Sequence, residues 1–317
     1  MKTLVIEKMP TLFWKLAKKY EIESCFEYQN YDNKEDIKII ILRTHVFADK
    51  KLIDLFPNLV LIIRAGSGFD NIDVNYAISK NIKVCNTPNA NVQSAFEHTL
   101  GLIFSLIKQY KINENNMKLG FWKKNLQYNL EIADLKLLVV GVGRIGTKVA
   151  QTMQNLGAEV RGVDPFLHKS EFDDKNIKST DYEDGIKWCN MISYHCPLTS
   201  KTFNYFDDKA LKLIKKPIFI LNVARGKILD FEIINDALNN GKIAGIAIDV
   251  FPEEPTIIDE NLNRVNSIYS PHVGAFTQNA KDRMAKETID VWENFVLKNR
   301  VISEVDLRFI LPFSKNG

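Results

Sequence analysis

Three side chains with complementary chemistry each follow an apolar run in the second half of the chain. Arg225 lies in Asn-Val-Ala-Arg-Gly, Glu254 in Asp-Val-Phe-Pro-Glu-Glu-Pro, and His272 in Ser-Pro-His-Val-Gly. A histidine ordinarily titrates near neutral pH, so it can exchange a proton with a hydroxyl or carbonyl oxygen. A carboxylate beside the imidazole favours its charged form, and an arginine fork can bind a carboxylate. Together the three residue types fit proton and hydride transfer at a hydroxy acid.

Each of the three also has an ordinary structural explanation. His272 can be a hydrogen-bonded residue after a strand, Glu254 part of a solvated turn, and Arg225 one half of an ion pair. Three such groups at neighbouring sheet ends favour a common site, because ligands of open α/β sheets bind outside the carboxyl ends of the strands.

A glycine-rich turn precedes this trio in the chain. The apolar run over residues 137–140 is followed by Gly141, Gly143 and Gly146 in a G-x-G-x-x-G arrangement, and then by helical sequence. These glycines permit a tight turn, close approach of a pyrophosphate and close packing of helix on strand. Asp164 ends the next predicted strand, where a carboxylate binds the adenosine ribose and repels a 2′-phosphate. The pattern predicts NAD rather than NADP; the alternative is a structural turn with a surface aspartate.

Short apolar runs alternate with helical periodicity, which predicts two α/β units with parallel sheets. The predicted strands are 4–6, 37–42, 59–63 and 82–84, and then 135–140, 159–163, 190–194, 217–223, 243–248 and 266–269. Two long helices are predicted over about 92–118 and 277–299. With the domain crossings on these helices, residues 98–290 form a unit inserted into one made of 1–97 and 291–317.

Composition excludes several classes of protein. The 317 residues are 45% hydrophobic, and 42 basic against 39 acidic residues leave a net charge of +3, which does not indicate a nucleic-acid-binding surface. No apolar run approaches the roughly 18 residues of a transmembrane helix, and the N-terminus predicts a strand rather than a signal peptide. The cysteines have no C-x-x-C spacing, which favours reduced thiols over disulfides or a metal site. We therefore expect a cytoplasmic protein without a bound metal.

A second glycine loop follows a strand of the first unit. It begins at Arg64 as Arg-Ala-Gly-Ser-Gly-Phe-Asp-Asn, and its backbone N–H groups can form an anion-binding nest. Arg43 ends the preceding predicted strand, so Arg43 and Arg64 can form a basic pair. Alternatively, either arginine pairs with Asp70 or Asp73.

These motifs, together with Asn-Thr-Pro-Asn from Asn86 and His-Cys-Pro-Leu from His195, occur in one order over about residues 36–298. The set resembles the D-2-hydroxyacid dehydrogenase family, and the loop at Arg64 with the upstream Arg43 looks most like its D-3-phosphoglycerate dehydrogenase branch. The resemblance implies two doubly wound parallel-sheet domains, a Rossmann NAD-binding domain inserted into a flavodoxin-like substrate domain. It also implies a homodimer formed through the NAD-binding domain.

The resemblance further implies a role for each motif. Arg225, Glu254 and His272 would be catalytic, and Ser67 and Gly68 would bind the substrate carboxylate while Arg43 and Arg64 reach a substrate phosphate. The NAD site would be formed by Gly141, Gly143, Arg144, Ile145, Gly146, Asp164, Cys196, Val223, Ala224, Asp249 and Gly274. Cys196 and Ser67 stand where the family often has Thr, and both departures are mild.

The expected activity is NAD-dependent interconversion of D-3-phosphoglycerate and 3-phosphohydroxypyruvate, as in serine biosynthesis. The chain ends soon after its last helix, so we expect a short form without the regulatory domain of long phosphoglycerate dehydrogenases. That leaves room for another 2-hydroxy acid, such as glycerate, glyoxylate or a sugar-derived acid. A third possibility is an NAD(H)-sensing regulator, since a corepressor group resembles the same family.

Overall fold

The computed structural model describes residues 1–122, 129–258 and 266–310. Contacts divide the chain into unit 1, which is Met1–Gln93 with Ala275–Gly317, and unit 2, which is Ser94–Gly274. The strands within the described ranges are β1 (Lys2–Val5), β2 (Ile22–Ser24), β3 (Ile37–Leu42), β4 (Leu61–Arg64), β5 (Lys83–Asn86), β6 (Lys136–Val140), β7 (Glu159–Val163), β8 (Lys178–Ser179), β9 (Met191–Tyr194), β10 (Ile218–Asn222), β11 (Ile243–Ile248) and β12 (Ser267–Tyr269). The α-helices of the same ranges are α1 (Thr11–Ala17), α2 (Lys50–Asp54), α3 (Val74–Ser79), α4 (Val92–Ile107), α5 (Tyr110–Lys118), α6 (Arg144–Asn155), α7 (Lys169–Asp174), α8 (Tyr182–Trp188), α9 (Asp208–Leu213), α10 (Phe231–Asn239) and α11 (Gln278–Lys298).

Unit 1 is built on a parallel sheet with the strand order β2-β1-β3-β4-β5 among its described residues. The central strand β3 reads Ile-Lys-Ile-Ile-Ile-Leu, and its apolar side chains are all fully buried. Burial on both faces explains why this strand is continuously apolar rather than alternating. The order is that of a flavodoxin-like, doubly wound sheet, as predicted.

Unit 2 is built on a second parallel sheet, whose described strands have the order β12-β11-β10-β9-β6-β7-β8. Leu138 and Val140 of β6 point into one hydrophobic cluster, and Leu137 and Val139 point into another on the opposite face. If β6 is numbered as strand 1, the strands from β8 to β11 have the Rossmann order 3-2-1-4-5-6, and β12 is one further strand at the edge. The order reverses between β6 and β9, where folds of this type bind a dinucleotide.

The long helix α11 belongs entirely to unit 1, which moves the second boundary from the predicted 290 to 274. Met284, Ile289 and Trp292 of α11 are buried in one of the two clusters of this unit, and Trp292 Nε1 donates to Thr3 Oγ1 at 2.8 Å. The apolar face of α11 thus covers the unit 1 sheet. The first boundary lies at Gln93, close to the predicted 97.

The single helix predicted over 92–118 is wrong, because the chain breaks between α4 and α5. Gln109 has φ 52°, in the left-handed region, and its N–H bonds to Leu106 O at 3.2 Å. Asn113 Nδ2 then donates to Lys108 O at 3.0 Å, which satisfies a carbonyl at the end of α4. The buried residues of α4 end at Ile107 and α5 has none, so hydrophobic periodicity carries no information on how the chain continues after α4.

Two short strands, β2 and β8, lie at sheet edges and were not predicted. β2 has no buried residue and β8 has none either, so neither produces an apolar run. The C-terminal segment returns to unit 1 as predicted, since Val305 N donates to Val84 O and Val305 is buried. Among the described helices, each is too short or too polar to cross a lipid bilayer.

Candidate active site

His272 and Glu254 form a direct pair in unit 2. His272 Nδ1 lies 2.6 Å from Glu254 Oε2, and the other carboxylate oxygen, Oε1, accepts from Phe251 N at 2.9 Å. Glu254 is therefore held by its own turn as well as by the imidazole. The His272 side chain is 47% exposed and its Nε2 is not engaged by Glu254. This nitrogen is the one that can reach a substrate oxygen.

The pKa of Glu254 is lowered by its surroundings. Partial burial acts in the opposite direction and raises it, but the bonds from His272 and Phe251 N and the positive charges of His272 and Arg225 outweigh burial. Glu254 is therefore a carboxylate at neutral pH. A carboxylate on Nδ1 fixes the ring orientation and favours the protonated imidazole that forms when His272 takes a proton.

Arg225 follows β10 and is positioned by the residues before it. Asn222, fully buried, donates from Nδ2 to Arg225 O at 2.8 Å and accepts from Ala224 N at 3.0 Å. Gly226 then brings this segment against the loop of Glu254, since a Cβ at 226 would lie 1.9 Å from the carbonyl carbon of Phe251. Backbone contact at a glycine thus joins the arginine segment to the carboxylate segment.

Asp249 holds the turn that carries His272. His272 N donates to Asp249 O at 2.8 Å, Val273 N donates to Oδ1 at 2.9 Å, and Gly274 N donates to Oδ2 at 2.9 Å. Three consecutive amides are therefore bound by one residue that is only 2% exposed. His272 itself has φ 51°, in the left-handed region. A residue other than glycine adopts this conformation at a cost of about 1–3 kcal/mol. The bonds from Asp249 fix that conformation.

The glycine turn after β6 has the geometry of a dinucleotide-binding turn. Gly141 has φ 94°, and a Cβ there would lie 2.5 Å from Cys196 N; at Gly146 it would lie 1.9 Å from Gly141 O. These two glycines are required by packing within unit 2. Asp164 accepts from Val142 N at 3.0 Å and from Phe166 N at 3.1 Å, so its carboxylate is fixed beside the turn.

Gly143 differs from these two glycines and supports a bound phosphate. It caps α6, and a Cβ at 143 would meet no described atom within 4 Å. Packing within the protein therefore does not require glycine at 143, whereas close approach of a pyrophosphate to the backbone does. The first N–H groups of α6 and its dipole favour an anion at this position. The residues present fit NAD.

The other residues predicted to line the NAD site fall into exposed and buried groups. Arg144 is exposed at the start of α6, and Ile145 and Val223 are half-buried, whereas Ala224 and Cys196 are buried. Burial raises the pKa of the Cys196 thiol to about 12, so this residue is a neutral thiol and not a nucleophile. Its backbone, packed on Gly141, is the part that shapes the turn.

In unit 1 the structure brings Arg43 and Arg64 to the carboxyl ends of adjacent strands. Leu42 pairs with Arg64 across β3 and β4, so Arg43 is one residue beyond the pair. Arg64 Nη2 bonds to Thr44 Oγ1 at 3.3 Å, and Arg43 Nη1 bonds to Lys8 O at 3.2 Å. Asp73 is one of the two acidic residues considered as a partner of these arginines. Its carboxylate accepts from Tyr76 N at 3.0 Å and caps α3.

The loop after Arg64 is shaped by Gly66. A Cβ at 66 would lie 1.4 Å from Arg64 Nη1, so the missing side chain makes room for the guanidinium. Asn86 Nδ2 donates to Ser67 O at 2.6 Å, and both Ser67 and Gly68 remain half-buried. Asn86, the first residue of the Asn-Thr-Pro-Asn motif, thus supports the predicted substrate loop.

Several supporting residues were missed by sequence reasoning. Glu7, only 8% exposed, accepts from Arg43 N at 2.6 Å and His45 N at 3.0 Å. His195 packs beside the glycine turn, with Nε2 2.7 Å from Ser193 Oγ, and burial lowers its pKa to about 3. His98 lies 3.3 Å from Asp249. Glu7 and His98 have no local sequence signal, since each contacts residues distant in the chain. His195 begins the His-Cys-Pro-Leu motif, but that motif does not indicate its bond to Ser193.

Comparison with known proteins connects this geometry to a family. The NAD binding domain of the D-isomer specific 2-hydroxyacid dehydrogenases matches residues 100–274. D-3-phosphoglycerate dehydrogenase of Bacillus subtilis (strain 168) is 30% identical over 276 residues, 87% of this chain and 53% of that protein. The Homo sapiens D-3-phosphoglycerate dehydrogenase is 34% identical over 267 residues, 82% of this chain and 50% of that protein. The chain spans about half the length of these curated relatives.

Solved structures share the whole fold. D-lactate dehydrogenase from Aquifex aeolicus, complexed with NAD and lactic acid, is 26% identical with a TM-score of 0.83, covering 94% of this chain and 96% of that one. A glyoxylate reductase from Paecilomyes thermophila has a TM-score of 0.88 at 21% identity, covering 97% and 99%, and supports the fold alone. With the family match over more than half of its length, the chain belongs to the D-isomer specific 2-hydroxyacid dehydrogenase family, and unit 2 carries its NAD-binding domain.

Proposed function

We propose that the chain is an NAD-dependent dehydrogenase of a D-2-hydroxy acid, with D-3-phosphoglycerate and 3-phosphohydroxypyruvate as its substrate pair in serine biosynthesis. The observation that carries the reaction type is the 2.6 Å contact between His272 Nδ1 and Glu254 Oε2, in the same unit as the glycine turn. The phosphoglycerate assignment is supported by relatives of that name at 30–34% identity and by the arginines of unit 1.

The chain's own residues divide the chemistry between them. When bound, NAD accepts or returns a hydride at its nicotinamide ring. In the oxidation direction His272 removes the hydroxyl proton through Nε2, and Glu254 stabilises the resulting imidazolium. Arg225 binds the carboxylate of the substrate and orients its C2 oxygen. In reduction the same imidazolium returns the proton.

The proposed NAD contacts follow the geometry of unit 2. The amides at the start of α6, including Arg144 and Ile145, bind the pyrophosphate, and Asp164 binds the adenosine ribose. Cys196, Val223, Ala224, Asp249 and Gly274 complete the lining. Because a fixed carboxylate at 164 repels a 2′-phosphate, NAD is preferred over NADP.

The reaction type is tested by NADH oxidation with 3-phosphohydroxypyruvate, hydroxypyruvate, glyoxylate, pyruvate and 2-ketoglutarate. We expect turnover, fastest with the phosphorylated acid, and a loss of about 10²–10⁴ in kcat for His272→Ala. Near-full turnover by His272→Ala would overturn the catalytic assignment. Tight NADH binding without turnover on any acid would favour an NAD(H)-sensing regulator.

The substrate is tested at the arginines of unit 1. We propose that Arg43 and Arg64 bind the phosphate and that Ser67 and Gly68 bind the carboxylate through the loop. Arg43→Ala and Arg64→Ala should raise KM for the phosphorylated acid at least about tenfold, the loss expected for a charge-assisted bond, and leave hydroxypyruvate little changed. Lys51→Ala, an exposed lysine of α2, is the control. If the substitutions change KM equally for the phosphorylated acid and for hydroxypyruvate, the arginines do not bind a phosphate, and an unphosphorylated 2-keto acid would be the favoured substrate.

We further propose a homodimer formed through unit 2 and located in the cytoplasm. The four cysteines are free thiols, which suits a reducing compartment. Large apolar side chains are exposed on and after α5: Tyr110, Met117, Leu119, Phe121 and Trp122. Several exposed large apolar side chains along one segment are typical of a surface that another protein chain covers.

A further inference from the structure

His98, on α4, contacts the residue that holds the catalytic turn. Its Nε2 lies 3.2 Å from Ser270 Oγ and 3.3 Å from Asp249 Oδ1. Its ring also lies against Gly274, where a Cβ would be 3.5 Å from His98 Cδ2. His98 was not singled out by its sequence context, and it is about a quarter exposed, with a side-chain accessibility of 23%.

The hydrogen-bond directions assign a role to His98 Nε2. Ser270 Oγ donates its proton to Asp249 Oδ1 at 2.5 Å, so toward His98 the hydroxyl oxygen is an acceptor. Asp249 Oδ1 is also an acceptor. Nε2 must therefore carry a hydrogen and share it between these two oxygens. His98 is a donor to the carboxylate, directly and through Ser270.

Asp249 depends on such donors because it is 2% exposed. Burial alone raises its pKa, but the bonds from His98, Ser270, Val273 N and Gly274 N together lower it below the usual range. A buried carboxylate that loses a donor cannot readily replace it with water. The orientation of this carboxylate in turn fixes the amides of Val273 and Gly274, the two residues after His272.

We propose that His98 is a positioning residue for the reaction, which acts through Asp249 to keep the His272 turn in its left-handed conformation. This role rests on the dehydrogenase activity proposed above. His98 does not exchange a proton with the substrate. Its contribution is to orient the Asp249 carboxylate, and thereby the imidazole of His272 relative to Glu254.

Two substitutions separate donation from bulk. His98→Leu fills a similar volume without a donor, and His98→Gln keeps an N–H group near the position of Nε2. Ser105→Ala, on the same helix but bonded to Gly101 O, is the matched control. The measurements are kcat and KM, NADH affinity by fluorescence, thermal unfolding, and hydrogen exchange of the Val273 and Gly274 amides.

We expect His98→Leu to lower kcat about tenfold and to speed exchange of both amides about tenfold, the effect of one lost bond to a charged group. NADH affinity should fall by less than kcat does, although Asp249 and Gly274 line the proposed NAD site, and His98→Gln should stay within about threefold of the wild type in every measurement. Ser105→Ala should match the wild type. If His98→Leu does not fold, Ser270→Ala removes the other side-chain donor to Asp249 and should give the same pattern.

Three results would overturn the proposal: unchanged exchange and kcat in His98→Leu, equal defects in His98→Gln and His98→Leu, or weaker NADH binding with kcat and exchange unchanged. The last result would make His98 a cofactor contact instead. If the wild type reduces no 2-keto acid, the proposed activity fails by itself. The exchange comparison still decides whether His98 holds the turn through Asp249.

Discussion

His272 combines a left-handed backbone with a side chain bound to a carboxylate, and both features position one nitrogen. The motif Ser-Pro-His-Val-Gly identifies the histidine, but nothing in it indicates φ 51°. The conformation is maintained by Asp249, whose main chain and side chain bind three successive amides. At the scale of single residues, the motifs predict His272, Glu254 and Arg225 as the reacting groups, whereas the contacts through which Asp249 and His98 support the turn could not be predicted. His98 and Asp249 are far apart in the chain.

Replacing the Glu254 carboxylate tests its charge separately from its shape. Glu254→Gln can still occupy the position beside His272 Nδ1 but cannot stabilise an imidazolium by charge. We expect kcat to fall about a hundredfold, at the lower end of general acid–base contributions, with NADH affinity unchanged. Steady-state kinetics measure kcat, and a fluorescence titration measures the NADH affinity. Glu253→Gln, at the exposed neighbouring position, should retain wild-type kcat, and a similar loss in both variants would contradict the assignment.

His195 should make the protein sensitive to mild acid. Burial lowers its pKa from 6.5 to about 3, so below pH 6.5 the unfolded chain binds a proton that the folded protein does not. Stability should then fall by up to about 1.4 kcal/mol per pH unit between 6.5 and 3. Urea unfolding at pH 7, 6 and 5 measures the slope. His195→Gln should flatten this dependence of the unfolding free energy on pH. His45→Gln, at an exposed position, should leave the dependence as it is in the wild type. An unchanged slope in His195→Gln would show that His195 is not its source.

Among elements, the strands were predictable to the extent that they are buried. β3 and β11 begin and end where their apolar runs do, because both faces of each sheet are covered. β2 and β8 lie at edges without buried residues, so their sequences carry no such signal. The break at Gln109 was missed because periodicity reports which face is apolar and not whether the helix is continuous. The boundary at such a turn depends on local backbone conformation and on local hydrogen bonds such as that from Asn113 Nδ2 to Lys108 O.

The turn between β6 and α6 offers a test in which two glycines should behave oppositely. Gly143→Ala places a methyl group in open space, so apoprotein stability should change by less than about 0.5 kcal/mol. The same methyl group would obstruct a pyrophosphate, and NADH affinity should fall at least about tenfold. Gly146→Ala would collide with Gly141 O and should destabilise the apoprotein itself. Thermal unfolding and NADH fluorescence separate the two effects. Unaltered NADH binding by Gly143→Ala would exclude the turn as the phosphate site.

At the scale of the whole molecule, the order of strands in each sheet follows from connections that the chain can make. Unit 2 is a continuous insertion, and its strands β6 to β12 give a sheet that grows outward from β6 in both directions. Such an arrangement needs crossover segments that return each strand in parallel. The alternation of apolar runs and helical periodicity contains that information, which is why the fold class could be predicted. The position of the second boundary could not, because it depends on which sheet α11 covers.

Association of two chains is the property of the whole molecule that the surface of unit 2 predicts most directly. Met117, Leu119 and Trp122 are 57%, 69% and 74% exposed within a few residues of one another, on and after α5. Stable interfaces concentrate large apolar and aromatic side chains, and a charge at their centre is costly. Leu119→Lys should therefore raise the dissociation constant of the proposed dimer at least about tenfold.

Sedimentation equilibrium over a range of concentrations measures the dissociation constant for each variant. Leu297→Lys introduces the same charge at an exposed leucine of α11. It should leave the dissociation constant unchanged, because Leu297 lies in unit 1 and not among the exposed apolar residues on and after α5. NADH binding should persist in monomeric Leu119→Lys, since the glycine turn and Asp164 belong to a single chain. A wild type that sediments as one chain, or a Leu119→Lys variant that remains dimeric, would show that this apolar segment serves something other than self-association.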